Sequence, residues 1–147
     1  MGNKKKDVVV IVGVTNPEEI SATNYTPYIT FFDTRNDVQA LGDPTSFVTY
    51  VDPDRSISWC AIITDPRTYS NYRVRLTFLD EKPDGGNSIL KNLPLTDANE
   101  DGILVGKTNN NVTPTDEESY LMTLLVTNVT TGETKNIPID PKLKGNP

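Results

Sequence analysis

The residues with the clearest capacity for chemistry form an acidic stretch from Asp97 to Gly102, DANEDG, which matches the opening of a calcium-binding loop, D-x-[DN]-x-[DN]-G. Short oxygen-bearing side chains at alternate positions can converge on one hard cation. An Asx-rich turn would use the same residue types, and Thr108 stands where an EF-hand has a bidentate glutamate. The sequence thus leaves two interpretations open, a plain turn or a calcium site built from Asp97, Asn99, Asp101 and the carbonyl oxygen of Ile103.

A second group with binding chemistry is the run Tyr69-Ser70-Asn71-Tyr72. A pyranose ring offers an apolar face to an aromatic side chain and hydroxyl groups to amides and carboxylates. Together with Asp65, these residues predict a carbohydrate-binding surface made of Tyr69, Asn71, Tyr72 and Asp65. Aromatic side chains at loop ends also cap ordinary β-sandwich cores, which is the structural alternative.

Catalytic chemistry has little support in the sequence. The chain contains no histidine, which excludes Ser-His-Asp and Cys-His catalysis and histidine-ligated metals. Adjacent carboxylates such as Glu117-Glu118 point to opposite sides of a strand, so they are interpreted as surface charge. The glycines of Lys82–Asn87 lack the strand-loop-helix context of a phosphate site and predict a loop. We therefore expect no enzyme and no required cofactor, and a hydrolase with paired carboxylates is kept as a distant alternative.

Charge and composition restrict the partners. A net charge of −6 repels a phosphate backbone, so nucleic acid is not an expected partner. No segment approaches the roughly 18 consecutive apolar residues of a membrane span, and Cys60 is the only cysteine, which fits a reducing compartment. The expected location is cytoplasmic, with residues 1–6 forming a basic N-terminal tail.

The elements that must position these residues are strands. Asp7–Val14 is a continuous run of mostly β-branched residues, typical of a central strand. Ser56–Ile63 and Tyr72–Leu79 alternate with period two, which is typical of half-buried strands. The alternation places one set of side chains inward: Ile57, Trp59, Ala61, Ile63, Tyr72, Val74, Leu76 and Phe78.

Near the end of the chain, Ser119–Val129 and Thr134–Ile139 predict a hairpin, and Pro138 restricts the second of these strands to an edge. Seven or eight short strands separated by turns favour two packed sheets. We predict an all-β fold, an antiparallel β-sandwich with immunoglobulin-like or jelly-roll-like topology, in a single domain spanning residues 1–147.

Four stretches in this order resemble the AidA/PixA inclusion-body proteins of bacteria. They are the apolar opening strand at Asp7–Ile11, the Tyr/Phe strand ending in Asp at Tyr28–Asp33, the strand-turn-Trp segment Phe47–Trp59, and the close formed by Tyr120–Val129 with Ile139–Leu143. The resemblance implies a β-sandwich without catalytic activity, bacterial and intracellular, with dense self-association or lectin-like sugar binding. It transfers no functional residue to this sequence.

These observations together favour a binding or packing protein. The leading hypothesis is a homo-oligomeric, inclusion-body-type or lectin-like module that binds copies of itself and possibly a glycan. The alternative from another class is a calcium-stabilised adhesion or matrix module that depends on the Asp97 loop.

Overall fold

The computed structural model describes residues 7–34, 40–41, 47–97 and 100–146. Within these ranges the chain forms twelve strands and one short 3-10 helix at Thr26–Tyr28. The strands are β1 (Val8–Val14), β2 (Ile29–Asp33), β3 (Ala40–Leu41), β4 (Val48–Val51), β5 (Ser56–Ile63), β6 (Tyr72–Gly86), β7 (Leu90–Lys91), β8 (Leu95–Thr96), β9 (Leu104–Thr108), β10 (Glu117–Asn128), β11 (Thr134–Ile139) and β12 (Lys142–Gly145).

The strands are divided between two sheets. Sheet 1 has the order β3-β2-β1-β5-β9-β7, and sheet 2 has the order β4-β12-β10-β6-β8, with β11 paired to β10. The predicted all-β sandwich is confirmed, although both sheets are mixed because β1 runs parallel to β5 and β12 runs parallel to β4. Strand β1 belongs to the parallel pair in sheet 1. Its run of mostly β-branched residues predicted a central strand.

One apolar core holds the two sheets together, and the Trp59–Tyr120 pair lies within it. Trp59 comes from β5 and Tyr120 from β10, and neither exposes any surface. The indole Nε1 donates a hydrogen bond of 2.9 Å to the Tyr120 hydroxyl, and the rings meet edge to face at 5.7 Å. The prediction that Trp59 points into the core is confirmed, and its one polar atom is satisfied there.

A β-bulge in β6 overturns the predicted direction of Phe78. Leu124 lies opposite Leu76 while Thr123 lies opposite Phe78, so Thr77 is an extra residue in β6. An extra residue reverses the alternation of every side chain that follows it. Phe78 is consequently exposed and Leu79 is completely buried.

The bounds of the elements differ from the prediction mainly at strand ends. β5 and β11 have the predicted bounds, whereas β6 continues through the segment Lys82–Asn87 as far as Gly86, where the sequence predicts a loop. The edge position of β11 is confirmed among the described strands, since β10 is its partner. No helix in the described ranges is both long enough and apolar enough to cross a lipid bilayer.

Candidate functional sites

A wide bulge in β6 opens a polar cavity beside β10. Glu81 pairs with Tyr120 and Gly86 pairs with Glu118, so the four residues 82–85 of β6 lie opposite Ser119 alone. The displaced backbone leaves a cavity of about 320 Å³, lined by Glu81, Lys82, Pro83, Asp84, Gly85, Gly86, Ser88 and Glu118.

The local sequence explains why the strand bulges at this point. Pro83 has no backbone N–H to donate to a ladder. Asp84 and Gly86 have positive φ angles of 59° and 100°, a conformation that favours glycine. A Cβ atom on Gly85 or Gly86 would lie 2.4 Å from a backbone carbonyl oxygen of β10, which is closer than a real Cβ comes to any neighbour.

Glu118 is the buried acid of this cavity, with only 3% of its surface exposed. Its Oε1 atom accepts hydrogen bonds of 2.9 Å from the backbone N–H groups of Ile89 and Leu90. Burial raises the pKa of Glu118, and the nearby charge of Glu81 raises it further, against the lowering effect of the two hydrogen bonds.

The interpretation of Glu118 as surface charge is therefore wrong. Inward positions in β10 alternate with period two, and Tyr120 and Met122 occupy the next two of them. Extending this alternation by one step before Ser119 would have placed Glu118 inside. Its neighbour Glu117 points outward and pairs with Lys142 at 3.4 Å, as expected for adjacent strand residues.

The cavity also carries a cation at its margin. The Lys82 ammonium group forms an ion pair with Asp140, which follows β11. Three carboxylates, Glu81, Asp84 and Glu118, line the same cavity. Glu118 is buried whereas Glu81 and Asp84 are exposed, and carboxylates in different environments are the kind of arrangement on which the hydrolase alternative would depend. That alternative stays a prediction.

The residues of the predicted carbohydrate surface lie around the turn between β5 and β6. The rings of Tyr69 and Tyr72 contact each other edge to face, with centroids 6.3 Å apart. The Asp65 carboxylate accepts a 3.3 Å hydrogen bond from the backbone N–H of Thr68, which ties it into the turn. The backbone carbonyl of Asn71 accepts a 2.8 Å hydrogen bond from Val129.

An open cavity of about 260 Å³ lies beside this turn. Tyr72 lines it, whereas Tyr69, Asn71 and Asp65 do not. Its other walls are mostly apolar and come from β5, the turn and β6: Ala61, Ile62, Ile63, Pro66, Arg73 and Val74. The structure therefore brings the two tyrosines together and places an apolar hollow next to one of them.

The acidic loop folds around Asp97, whose side chain is only 4% exposed. Both oxygens of the Asp97 carboxylate lie 3.0 Å from the backbone N of Gly102, and Oδ2 lies 3.4 Å from the Arg75 guanidinium. Asp101 accepts a 3.0 Å hydrogen bond from the backbone N–H of Ile103. A cation would have to replace these donors, so the geometry matches the turn interpretation.

The calcium prediction cannot be placed completely in this loop. Asn99 lies outside the described residues, and the side chain of Ile103 is exposed. Among the residues that the structure describes, no three cysteine or carboxylate side chains gather in a way that could hold a metal ion. Calcium binding stays a prediction.

Two of the segments that carry the family resemblance, Tyr28–Asp33 and Phe47–Trp59, meet inside the protein. The hydroxyl of Thr49 donates a 3.0 Å hydrogen bond to the buried Asp33 carboxylate, and the side-chain amide of Asn146 donates one of 3.2 Å to Asp52. These polar contacts are buried or half-buried, which gives the pattern Asp33, Thr49 and Asp52 a structural role in joining strands.

The two mixed sheets define the chain as an all-β sandwich. Its fold is similar to the crystal structure of the inclusion body protein PixA from Burkholderia cenocepacia J2315, with a TM-score of 0.63 and 5% sequence identity over 98% of this chain and 97% of that chain. The PixA resemblance predicted from the sequence is confirmed at the level of the fold. No protein-family model and no curated protein matches the sequence.

Proposed function

We propose that this protein is a non-catalytic, self-associating module of the inclusion-body type that acts in the cytoplasm. The observation that carries the proposal is the likeness to an inclusion body protein over nearly the whole of both chains. The absence of histidine supports a packing role over a catalytic one, since the commonest general acid-base group is missing.

Open strand edges support self-association. Among the described strands, β4 and β8 end sheet 2, β3 and β7 end sheet 1, and β11 has a partner on one side only. An unpaired edge presents backbone donors and acceptors to another chain. On β11, Pro138 has no backbone N–H to donate, which weakens pairing at that edge, and the Lys135 ammonium donates hydrogen bonds to backbone carbonyls of Pro17, Glu18 and Ile20 in the same chain.

The oligomeric state tests this proposal. Light scattering coupled to size exclusion, measured from low micromolar to millimolar protein, should give a mean mass that rises with concentration. Salt should strengthen association, because screening weakens repulsion between chains of net charge −6. A mass equal to 16.3 kDa at every concentration and salt level would refute self-association.

A second candidate function is lectin-like carbohydrate binding at the turn between β5 and β6. The Tyr69–Tyr72 ring contact beside an apolar cavity is the observation that favours it, since sugars stack on aromatic rings. Tyr72 lines the cavity and is the residue expected to contact a sugar ring.

A glycan array with fucose, mannose and galactose ligands tests this candidate. Binding by the native protein should be lost in Tyr72→Ala and kept in the matched variant Tyr28→Ala, which changes a tyrosine before β2. If the protein binds no glycan on the array, or if both variants bind equally well, the proposed sugar site is refuted and self-association is the remaining candidate function.

A further inference from the structure

The polar cavity beside the β6 bulge carries uncompensated negative charge. Glu81, Asp84 and Glu118 line it, and neither Glu81 nor Asp84 forms an ion pair with a described residue. The Lys82 ammonium group at the margin is already paired with Asp140. A cavity of about 320 Å³ that is lined by unpaired carboxylates attracts a positively charged group.

Glu118 supplies the feature that points to a ligand. The residue is only 3% exposed, and its Oε1 atom accepts hydrogen bonds from the N–H groups of Ile89 and Leu90. The other oxygen, Oε2, accepts no hydrogen bond from the described residues. Every completely buried side-chain oxygen or nitrogen in this part of the chain has a hydrogen-bond partner. Oε2 is therefore not sealed in the core but opens into the cavity, where it can accept a donor from a ligand.

The strand register places a second carboxylate on the same side of sheet 2. Glu81 lies opposite Tyr120, which is completely buried, and residues opposite each other in a ladder point to the same face. Tyr120 is two residues along β10 from Glu118, so the two carboxylates are offset by about 7 Å along the strand. Glu81 is exposed and Glu118 is buried, which gives the cavity an outer and an inner negative group.

We propose that this cavity binds a small aliphatic diamine, with one ammonium group on Glu118 Oε2 and the other near Glu81 and Asp84. An ammonium group has three N–H donors and no acceptor, which complements a carboxylate oxygen that has no donor. The offset between the inner and outer carboxylates suits a spacer about as long as the four-carbon stem of lysine. A bare metal ion fits less well, because no three carboxylates of the described residues gather in a way that could hold one.

The size and exposure of the cavity determine how tightly such a ligand binds. A volume of about 320 Å³ lies at the lower end of the roughly 300–1,000 Å³ of small-molecule pockets. The outer carboxylates are exposed, so salt screens their attraction, whereas the buried Glu118 is screened less. We therefore expect weak binding, with a dissociation constant in about the millimolar range at low ionic strength, and Glu118 as the larger contributor. This inference goes beyond the proposed self-association and does not depend on it.

Isothermal titration calorimetry with putrescine, a four-carbon diamine, tests the proposal at low ionic strength. Glu118→Gln keeps an acceptor for the N–H groups of Ile89 and Leu90 but replaces Oε2 by an amide donor, so it should weaken binding about tenfold or more. Glu117→Gln is the matched control, because Glu117 points outward and pairs with Lys142. The control should bind putrescine as wild type does.

The outer end of the ligand is tested separately. Asp84→Asn removes an exposed charge, and asparagine tolerates the positive φ of 59° at this position. This variant should bind putrescine several-fold more weakly, and n-butylamine, which has a single ammonium group, should bind wild type several-fold more weakly than putrescine. Circular dichroism checks that each variant folds. If Glu118→Gln does not fold, Asp84→Asn and n-butylamine carry the test, because both leave Glu118 unchanged.

The backbone amide signals of Ile89 and Leu90 in nitrogen-15 NMR spectra give a local readout, since both groups donate to Glu118. Putrescine should shift these signals in wild type and in Glu117→Gln, and should leave them in place in Glu118→Gln. The proposal is refuted if wild type gives neither heat nor shifts at putrescine concentrations well above the expected dissociation constant. Equal affinity of wild type and Glu118→Gln would also overturn it, as would Glu118-dependent binding of calcium in place of putrescine.

Discussion

Replacing Tyr120 by phenylalanine removes one oxygen atom from the centre of the protein. That oxygen accepts the 2.9 Å hydrogen bond from the Trp59 indole, and both side chains are completely buried. In Tyr120→Phe the indole N–H of Trp59 stays buried but has lost its hydrogen-bond acceptor. An unsatisfied buried donor costs about 1–3 kcal/mol, and at roughly 2–4 °C per kcal/mol for a domain of about this size, a cost near 2 kcal/mol lowers Tm by roughly 4–8 °C.

The assay is urea and thermal unfolding followed by circular dichroism, with fluorescence of the single tryptophan as a local probe. Tyr69→Phe is the matched control, because its hydroxyl lies in a half-exposed turn, and it should change stability by less than about 0.5 kcal/mol. The double variant Trp59→Phe/Tyr120→Phe should lose less than the sum of the single variants, since it removes donor and acceptor together. Equal stability of Tyr120→Phe and wild type would refute the importance of this hydrogen bond.

Three further predictions concern the bulges, the buried acid and the acidic loop. Leu79→Ala should lower the free energy of unfolding, measured in urea, by about 2–5 kcal/mol. Phe78→Ala should lower it much less, because the bulge buries Leu79 and exposes Phe78. Equal losses in the two variants would contradict the strand register. The folded pKa of Glu118 is raised above its ordinary value of 4.5, so the stability from its protonation is fully present below that pH and is lost as pH rises through the folded pKa. As pH rises through the folded pKa of Glu118, the Glu118→Gln variant should therefore become more stable relative to wild type. A stability difference between the two proteins that does not change with pH would contradict the raised pKa. Tm should be the same in millimolar calcium and in chelator, because the Asp97 carboxylate already accepts a hydrogen bond from Gly102 and pairs with Arg75. A rise in Tm with calcium would establish a calcium site.

Strong periodicity made most of the long strands predictable. The alternation in Ser56–Ile63 gives both the bounds of β5 and the burial of Trp59, because one face of that strand packs on the core along much of its length. The short strands β3, β7 and β8 are two residues long. Such short segments form strands because they pair with strands that are distant in the sequence. The local sequence pattern carries no information about these partners.

Two of the errors, the direction of Phe78 and the loop expected at Lys82–Asn87, have a common physical cause in β6. Thr77 is an extra residue relative to β10, and the four residues 82–85 lie opposite Ser119 alone, whereas a period-two argument assumes that no residue is extra. The polar cavity could not be predicted for the same reason, since it exists where β6 departs from its partner. The carbohydrate site at Asp65, Tyr69, Asn71 and Tyr72 stays a prediction, and these residues lie around one turn because they are close together in the chain.

The position of β12 has a consequence for how the protein is made. This strand lies between β4 and β10, running parallel to the first and antiparallel to the second. During synthesis β4 therefore emerges long before the strand that attaches it to sheet 2. A nascent chain must keep Val48–Val51 from pairing wrongly until Lys142–Gly145 have left the ribosome, so folding of sheet 2 is expected to finish late and to be slow, as for other proteins dominated by distant pairings.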